Sequence, residues 1–548
     1  MRDRFGDLGA HPRRVAALLL SVLVILAAAC GREAAPRAGG TVIVGMRADF
    51  AGFNPITNTA QYTDELIKYA LFTPLIQYDE NLQVRPYLAE SWEMLGDTGV
   101  VFSLRRDVRW HDGRPVTAED VKFTFDLAKD PATGSLIGSA YITEVARAEV
   151  VDSYTVRFTF ARPHAQALED FWWPPVPKHL LEGIPPEDLR NAPYNRAPVG
   201  SGPYRFVEWR ANERLVLEPN PDFPEALGGP PALQRVVFRI VPETSTLLTE
   251  LITGGIQVNI PLVPDQAAQV EADPNLQLFA FPSRTVYFIG WNTRREPFTD
   301  ARVRRAMTYA INRDEIIAAL LEGYGSPATS TIPPWSPLYP QNVAPLPYDP
   351  QQAMRLLEEA GWTDRNGDGI RENAAGRPLR FTLLSSDNPL NRNVVAVVQS
   401  HLREVGVDAQ VRSLEFQTLL TQHRARDFDA VLQTWVLDNF QVASAPAALF
   451  HSRWADVPRS ANRSSFANPR ADSLIDAGAG ETDPERAREI WAAFTELLNQ
   501  EQPFTFMFWL DELAGASRSL GGVVMDPRGE FVSIADWHVR GGGAPAGR

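Results

Sequence analysis

The chain has 548 residues with 53 basic and 67 acidic side chains, a formal net charge of −14 and a single cysteine. Hydrophobic residues make up 44% and charged residues 22%, an ordinary globular balance, and the length suits roughly two to four domains. An acidic chain with no basic stripe excludes nucleic acid as a partner, and one cysteine excludes thiolate metal clusters and disulfide staples.

The N-terminus carries the first local signal. Arg13-Arg14 precede an apolar run from Val15 to Ala29 that only Ser21 interrupts. A basic stretch before an apolar run shorter than the roughly 20 residues that span a bilayer predicts a signal peptide, here residues 1–29. The run ends Leu26-Ala-Ala-Ala-Cys30-Gly31. This resembles a bacterial lipobox, in which small residues precede a cysteine that is lipidated and becomes the mature N-terminus. Cys30 is therefore the expected lipidation site, and residues 30–40, small and charged, an expected lipid-anchored tether.

A strand-like run opens the folded part at Thr41–Gly45, and short strands then alternate with helices, the pattern of an α/β protein. Thr117, with Asp120 three residues on, forms a capping box for a helix carrying Val121 and Phe125. Arg214–Glu218 and Arg235–Val241 are β-rich and predict a local hairpin or meander; Thr285–Trp291 predicts another strand. Asp300 caps a helix with Val303, Ala306, Met307 and Ala310 on one face. Asn312 and Glu315 open the next, whose buried stripe is Ile316, Ile317, Leu320 and Leu321. Further helices are predicted at 350–360, 392–405 and 484–500.

Several stretches then recur in a specific order: Pro86–Trp92, Phe102–Gly113, Pro115–Phe125, Pro198–Tyr204, Asn220–Asp222, Gly290–Asn292, Pro297–Ala306, Ala360–Trp362, Asn468-Pro469 and Asp472. Together they resemble the family 5 extracellular solute-binding proteins, the dipeptide, oligopeptide and nickel receptors of ABC importers. The resemblance implies an α/β, two-lobed periplasmic-binding-protein-like fold with an additional domain inserted in the first lobe. It places lobe I at 41–83, 198–283 and 512–548, the inserted domain at 84–197 and lobe II at 284–511, with ligand held between lobes that close by a hinge. Gly200-Ser-Gly-Pro203 lies where the family's chain crosses between domains, so its glycines are expected to absorb the dihedral change. The resemblance further implies a monomeric, non-catalytic receptor without a cofactor. Its partners would be a short peptide or other small molecule and an ABC permease and ATPase complex. Its place would be extracytoplasmic, lipid-anchored to the cell membrane.

Peptide-binding members carry a Trp-x-x-Asp after a strand, whose carboxylate pairs with the ligand's α-ammonium. Trp435-Val-Leu-Asp438 matches it, after the strand-like Phe428–Thr434. A buried ammonium requires such a partner. Asp438 is thus the expected anchor. Trp435 and Phe416 match pocket aromatics, Trp509 falls near a further aromatic stretch, and Arg392 falls where some members hold the peptide carboxylate with a basic residue. The family usually continues with an acidic residue and proline, where this chain has Gln441-Val442. A metal chelate, an oligosaccharide or an opine-like compound therefore stays open beside peptides.

The sequence contains no His-Glu-x-x-His, no Gly-x-x-x-x-Gly-Lys and no Gly-x-Ser-x-Gly, which sets a secreted hydrolase or peptide-binding chaperone behind a receptor. Trp110-His111-Asp112-Gly113 reads as a turn rather than a catalytic pair. Asp364–Ile370 resembles the first half of a calcium loop, but its twelfth position is Ala375 rather than a bidentate Glu, so a turn is expected and no metal site is assigned.

Overall fold

The computed structural model describes residues 40–162, 166–437 and 440–540. The N-terminal apolar run, Cys30 and Asp438 lie outside the described residues.

One sheet of eleven strands runs through the molecule. Along its path the order is Asp408–Leu414, Arg380–Ser386, Ala430–Val436, Leu276–Trp291, Phe504–Ser517, Val258–Ile260, Thr41–Met46, Arg235–Ile240, Arg214–Pro219 and Tyr204–Arg210, with Gly325–Pro327 added beside Phe504–Ser517. Two of these strands are long, Leu276–Trp291 and Phe504–Ser517, and they lie antiparallel side by side in the middle. Residues 276–282 pair with 511–517 in one half of the sheet, and residues 286–290 pair with 504–509 in the other. Between Pro282 and Val286 the register shifts, a bulge that re-aims side chains where the halves meet.

The half that holds Ala430–Val436 is covered on both faces. Val303, Met307, Ile316, Leu357 and Val398 pack on one face with Ile289, Leu432 and Phe508. Leu449, Ile475, Trp491, Phe494 and Leu498 pack on the other with Phe288, Phe506 and Trp509. A fully buried Leu or Phe stabilises by about 1.5–3 kcal/mol, so apolar stripes of this kind, rather than helix propensity, hold the helices in place.

Between the strands Thr41–Met46 and Tyr204–Arg210 the chain detours through a separate antiparallel sheet ordered Ala89–Met94, Gly99–Leu104, Thr155–Phe160, Val145–Asp152. Its apolar side merges with the neighbouring half, since Phe102, Phe158 and Trp173 share one core with Val44, Tyr204 and Phe238. Late residues complete this core. Met525, Phe531, Ile534 and Trp537 belong to it, and the Tyr204 hydroxyl donates to the Ile534 carbonyl at 3.3 Å.

The local expectations hold where they rest on short-range chemistry. Asp120 accepts the Thr117 N–H at 2.9 Å and opens the helix Ala118–Lys129; Asp300 accepts the Arg302 N–H at 2.8 Å ahead of Ala301–Ala310. Asn312 accepts the Glu315 N–H at 3.2 Å, and Ile316, Ile317 and Leu321 are buried behind it, Leu320 only partly. The predicted helices appear as Pro350–Glu359, Pro389–Glu404 and Pro484–Glu501. The strands Arg214–Pro219 and Arg235–Ile240 do pair antiparallel.

The glycines of Gly200-Ser-Gly-Pro203 meet a packing need. A Cβ on Gly200 would sit 1.9 Å from the Leu71 carbonyl oxygen, and one on Gly202 2.4 Å from that of Ala70. These glycines permit close backbone approach; the chain passes between the halves along the two long strands. Next to them, His111 is structural. Its backbone N–H donates to the Gly200 carbonyl at 2.7 Å, and its ring lies between the Gly200 N–H (3.2 Å) and the Gly202 carbonyl (3.0 Å). Burial lowers its pKa to about 4, so the ring is neutral, and Asp112 pairs with His179 at 2.7 Å instead. The 364–370 segment is likewise a turn. Asp364 accepts the N–H groups of Gly367 and Gly369 at 2.7 and 3.1 Å, and Asp368 accepts that of Ile370 at 2.8 Å.

Candidate functional site

A cavity of about 870 Å³ lies between the inserted domain and the second half of the sheet. Tyr141, Glu144, Arg162 and Asp170 line it from the insert, and Trp435, Gln441, Trp454 and Asp476 line it from the opposite side. The strand Ala430–Val436 brings Trp435 there, in register with Val286 of the long central strand and half-buried.

The two sides are tied beside the cavity. Gln441 Nε2 donates to Asp170 Oδ1 at 2.5 Å. Phe440, two residues beyond Asp438 in sequence, packs into the aromatic core of the first half. Its ring centroid lies 4.7 Å from that of Tyr78 and 5.2 Å from those of Trp172 and Trp335. Beneath this cluster the Lys68 ammonium sits 3.8 Å from the Trp172 ring centroid, and it donates to Asp64 at 2.7 Å and to the Tyr141 hydroxyl at 2.9 Å. On the cavity wall the Arg162 guanidinium holds both oxygens of Glu144, at 2.8 and 2.7 Å. Nearby, burial pushes the Glu169 carboxyl up to about 8, which leaves it neutral at neutral pH. The lining mixes the aromatic rings of Tyr141, Trp435 and Trp454 and the amides of Gln166 and Gln441 with the charged Glu144, Arg162, Asp170, Arg453, Arg459 and Asp476, of which Glu144 and Arg162 pair with each other. Aromatic faces accommodate varied side chains.

A second concentration of charge lies at the bulge of the central strands. Glu65 and Glu530 are each 1% exposed, and Arg284 is 6% exposed. Glu65 Oε2 accepts the Glu530 N–H at 2.8 Å, while its Oε1 lies 3.6 Å from Arg284 Nη2. Gly529 makes the room, because a Cβ there would fall 2.5 Å from the Glu65 carboxyl. Glu512 stands on the second long strand, in register with Phe281. Burial, reinforced by the Glu65 charge, pushes Glu512 up to about 7, and the same two causes hold Glu530 well above the ordinary carboxylate range. Three carboxyls thus gather at the joint between the halves, with the Arg284 guanidinium beside Glu65 and its charge also acting on Glu512.

Of the residues singled out in the sequence, the structure brings Trp435 to the cavity. The other described ones lie elsewhere. Trp509 is fully buried among Trp491, Phe494 and Phe506, because it faces the side of the strand that the helix Pro484–Glu501 covers. Phe416 begins the helix Phe416–Arg424 and is 52% exposed, away from the cavity lining. Arg392 is exposed in the first turn of its helix, where it donates to the Asp387 carbonyl. Tyr141, Asp170 and Trp454 were not anticipated. They reach the cavity through tertiary contacts that leave no local pattern, whereas Gln441 was visible as a departure from the family's usual sequence.

Solved structures establish the class. The oligopeptide-binding protein AppA from Bacillus subtilis, in complex with a nonapeptide, matches with a TM-score of 0.77 at 27% identity over 92% of this chain and 100% of that one. NikZ from Campylobacter jejuni, in complex with Ni(L-His), matches with a TM-score of 0.77 at 25% identity, again over 92% and 100%. The architecture is the two-lobed α/β fold of periplasmic-type solute-binding proteins. More narrowly, the model for bacterial extracellular solute-binding proteins, family 5 (middle region), matches residues 83–456, and the chain belongs to that family. In sequence it is 29% identical to the oligopeptide-binding protein AppA of Bacillus subtilis (strain 168), over 96% of this chain and 99% of that protein. It is 26% identical to the dipeptide-binding protein of Escherichia coli (strain K12), over 87% and 91%.

Proposed function

We propose that the protein is the extracytoplasmic receptor of an ABC importer, capturing short peptides between its lobes and delivering them to a membrane permease. The observation that carries this reading is the cavity beside Trp435, large enough for a peptide and walled by aromatic rings, amides and side chains of both charges. The similar proteins are named for oligopeptide and dipeptide binding. Among the described residues the cavity lining holds no histidine or cysteine, which disfavours a free metal ion as the ligand, and a metal chelate remains the alternative within the same scaffold. In this reading lobe I comprises 41–83, 198–283 and 512–548, the inserted domain 84–197 and lobe II 284–511; the separate sheet within 84–197 supports the division. Mass spectrometry of ligand released from the purified, denatured protein should find short peptides, and calorimetry with peptides of graded length should give saturable binding. A released metal chelate or sugar, with no peptide binding, would overturn the reading.

We further propose anchoring through an acylated Cys30. Among the described residues no helix is long and apolar enough to cross a membrane, and a diacylated cysteine suffices for stable attachment. Cys30→Ser should move the protein from the membrane to the soluble fraction. If wild type and variant fractionate alike, the lipid anchor is wrong.

A further inference from the structure

A second large cavity, of about 960 Å³, adjoins the first and is lined by Thr421, Arg424, Ala425, Arg426, Pro458, Arg459 and Arg463. Pro458 and Arg459 line both cavities. Four of the seven residues are arginines, and no carboxylate is among them, in a chain whose net charge is −14.

The neighbouring acids are engaged elsewhere. Asp456 pairs with Arg294 at 2.5 Å, and Asp427 and Asp429 pair with Arg295 at 2.9 and 3.3 Å. Arg426 spends one guanidinium nitrogen on the Val457 carbonyl at 2.9 Å and the Ser460 hydroxyl at 3.0 Å. Arg463 donates to His423 Nδ1 at 3.1 Å. That imidazole is neutral, its pKa lowered to about 3 by burial and by the Arg463 charge, so it accepts without adding charge. The Nε–H groups of both Arg426 and Arg463 are buried without a partner. Burial and the Arg424 charge pull Arg463 down to about 10. The acid whose charge acts on Arg426 is Asp456, which is bonded to Arg294. Partly desolvated guanidiniums with idle donors are unfavourable as they stand, and an oxyanion supplies an acceptor and further negative charge together.

We propose that this recess is the anion-binding arm of the ligand site, taking the carboxylate-bearing end of an acidic peptide whose remainder lies beside Trp435. The proposal rests on the peptide reading above. A carboxylate fits the planar fork of arginine in a way an amide does not, and the shared residues Pro458 and Arg459 place the recess next to the ligand cavity rather than on a remote face.

The test is calorimetry of the full chain with Ala-Ala-Glu-Glu and with tetra-alanine amide, repeated on an Arg424→Gln/Arg459→Gln variant. Both side chains are exposed, so the variant should keep its thermal midpoint. Wild type should bind the acidic peptide at least about tenfold more tightly than the amide, which is about one tenfold step in Kd; the variant should lose that preference. The preference is a ratio within one protein, so a general weakening does not imitate it. Inorganic phosphate should compete with the acidic peptide in wild type only. If both peptides bind equally well, or the preference survives in the variant, the arm is refuted while the peptide receptor stands. If no peptide binds but phosphate does, the peptide reading fails, and the recess is a stand-alone anion site rather than an arm.

Discussion

Replacing Arg284 with methionine should destabilise the protein by about 3–5 kcal/mol at neutral pH, the usual effect of removing one partner from a buried ion pair. Arg284 is the cation beside Glu65, and its charge also acts on Glu512, in a cluster of enclosed carboxyls that includes Glu530 at the bulge between the sheet halves. Methionine fills similar space and removes the charge alone. The pH dependence follows from the direction of the shifts. Carboxyls whose folded pKa lies above the unfolded one bind protons more tightly in the folded state, so they favour folding below the unfolded value and lose that contribution as pH rises. For Glu512 the window runs from 4.5 to about 7. Wild type should therefore become less stable across that window, and Arg284→Met should fall more steeply and approach wild type near its lower end. Denaturant unfolding of both proteins at pH 4.5 and 7.5 checks this. An equal gap at the two pH values would show that the loss comes from packing and not from the carboxyls.

If the ligand is a peptide, Asp438→Asn should weaken its binding by at least about two orders of magnitude. A buried, unpaired ammonium costs about 3–5 kcal/mol, and each 1.4 kcal/mol is tenfold in affinity. Asp438 lies outside the described residues, but both sides of its segment are held. Leu437 donates its N–H to the Arg284 carbonyl at 2.9 Å, and Phe440 is fixed among Tyr78, Trp172 and Trp335. N-acetylation of the peptide removes the same charge from the other side and should weaken binding to wild type equally. Combining the two changes should then be much less than additive, which is the signature of one shared interaction. Full-strength binding of free peptide by Asp438→Asn would assign the ammonium to another partner.

What could be read from the sequence followed the range of the interactions. Caps such as Asp300 and Asn312 act within three residues, and the stripe at Ile316, Ile317 and Leu321 is fixed by helical period, so both were visible. Trp435 was visible because it ends a recognisable strand. Trp509 was misplaced because the face it occupies depends on the register of a long strand with two irregularities, which no local pattern gives. The carboxyl cluster was out of reach, since Glu65 and Glu530 meet across 465 residues of chain. The arginine recess was equally hidden. No basic stripe exists in the sequence, yet folding sets Arg424 and Arg426 beside Arg459 and Arg463.

The return of residues 525–537 to the first half has a consequence for how the molecule is made. The strand Thr41–Met46 is synthesised early, but the core it belongs to closes only when Phe531, Ile534 and Trp537 arrive. Contacts at such separation form late, because the chain must close a very large loop before they stabilise anything. The lobe begun first is therefore finished last, and its core stays incomplete through most of translation. A lobe without its last core residues is easier to thread through a narrow translocation channel than a finished one, so this order of completion suits a member of an extracellular family to folding on the far side of the membrane.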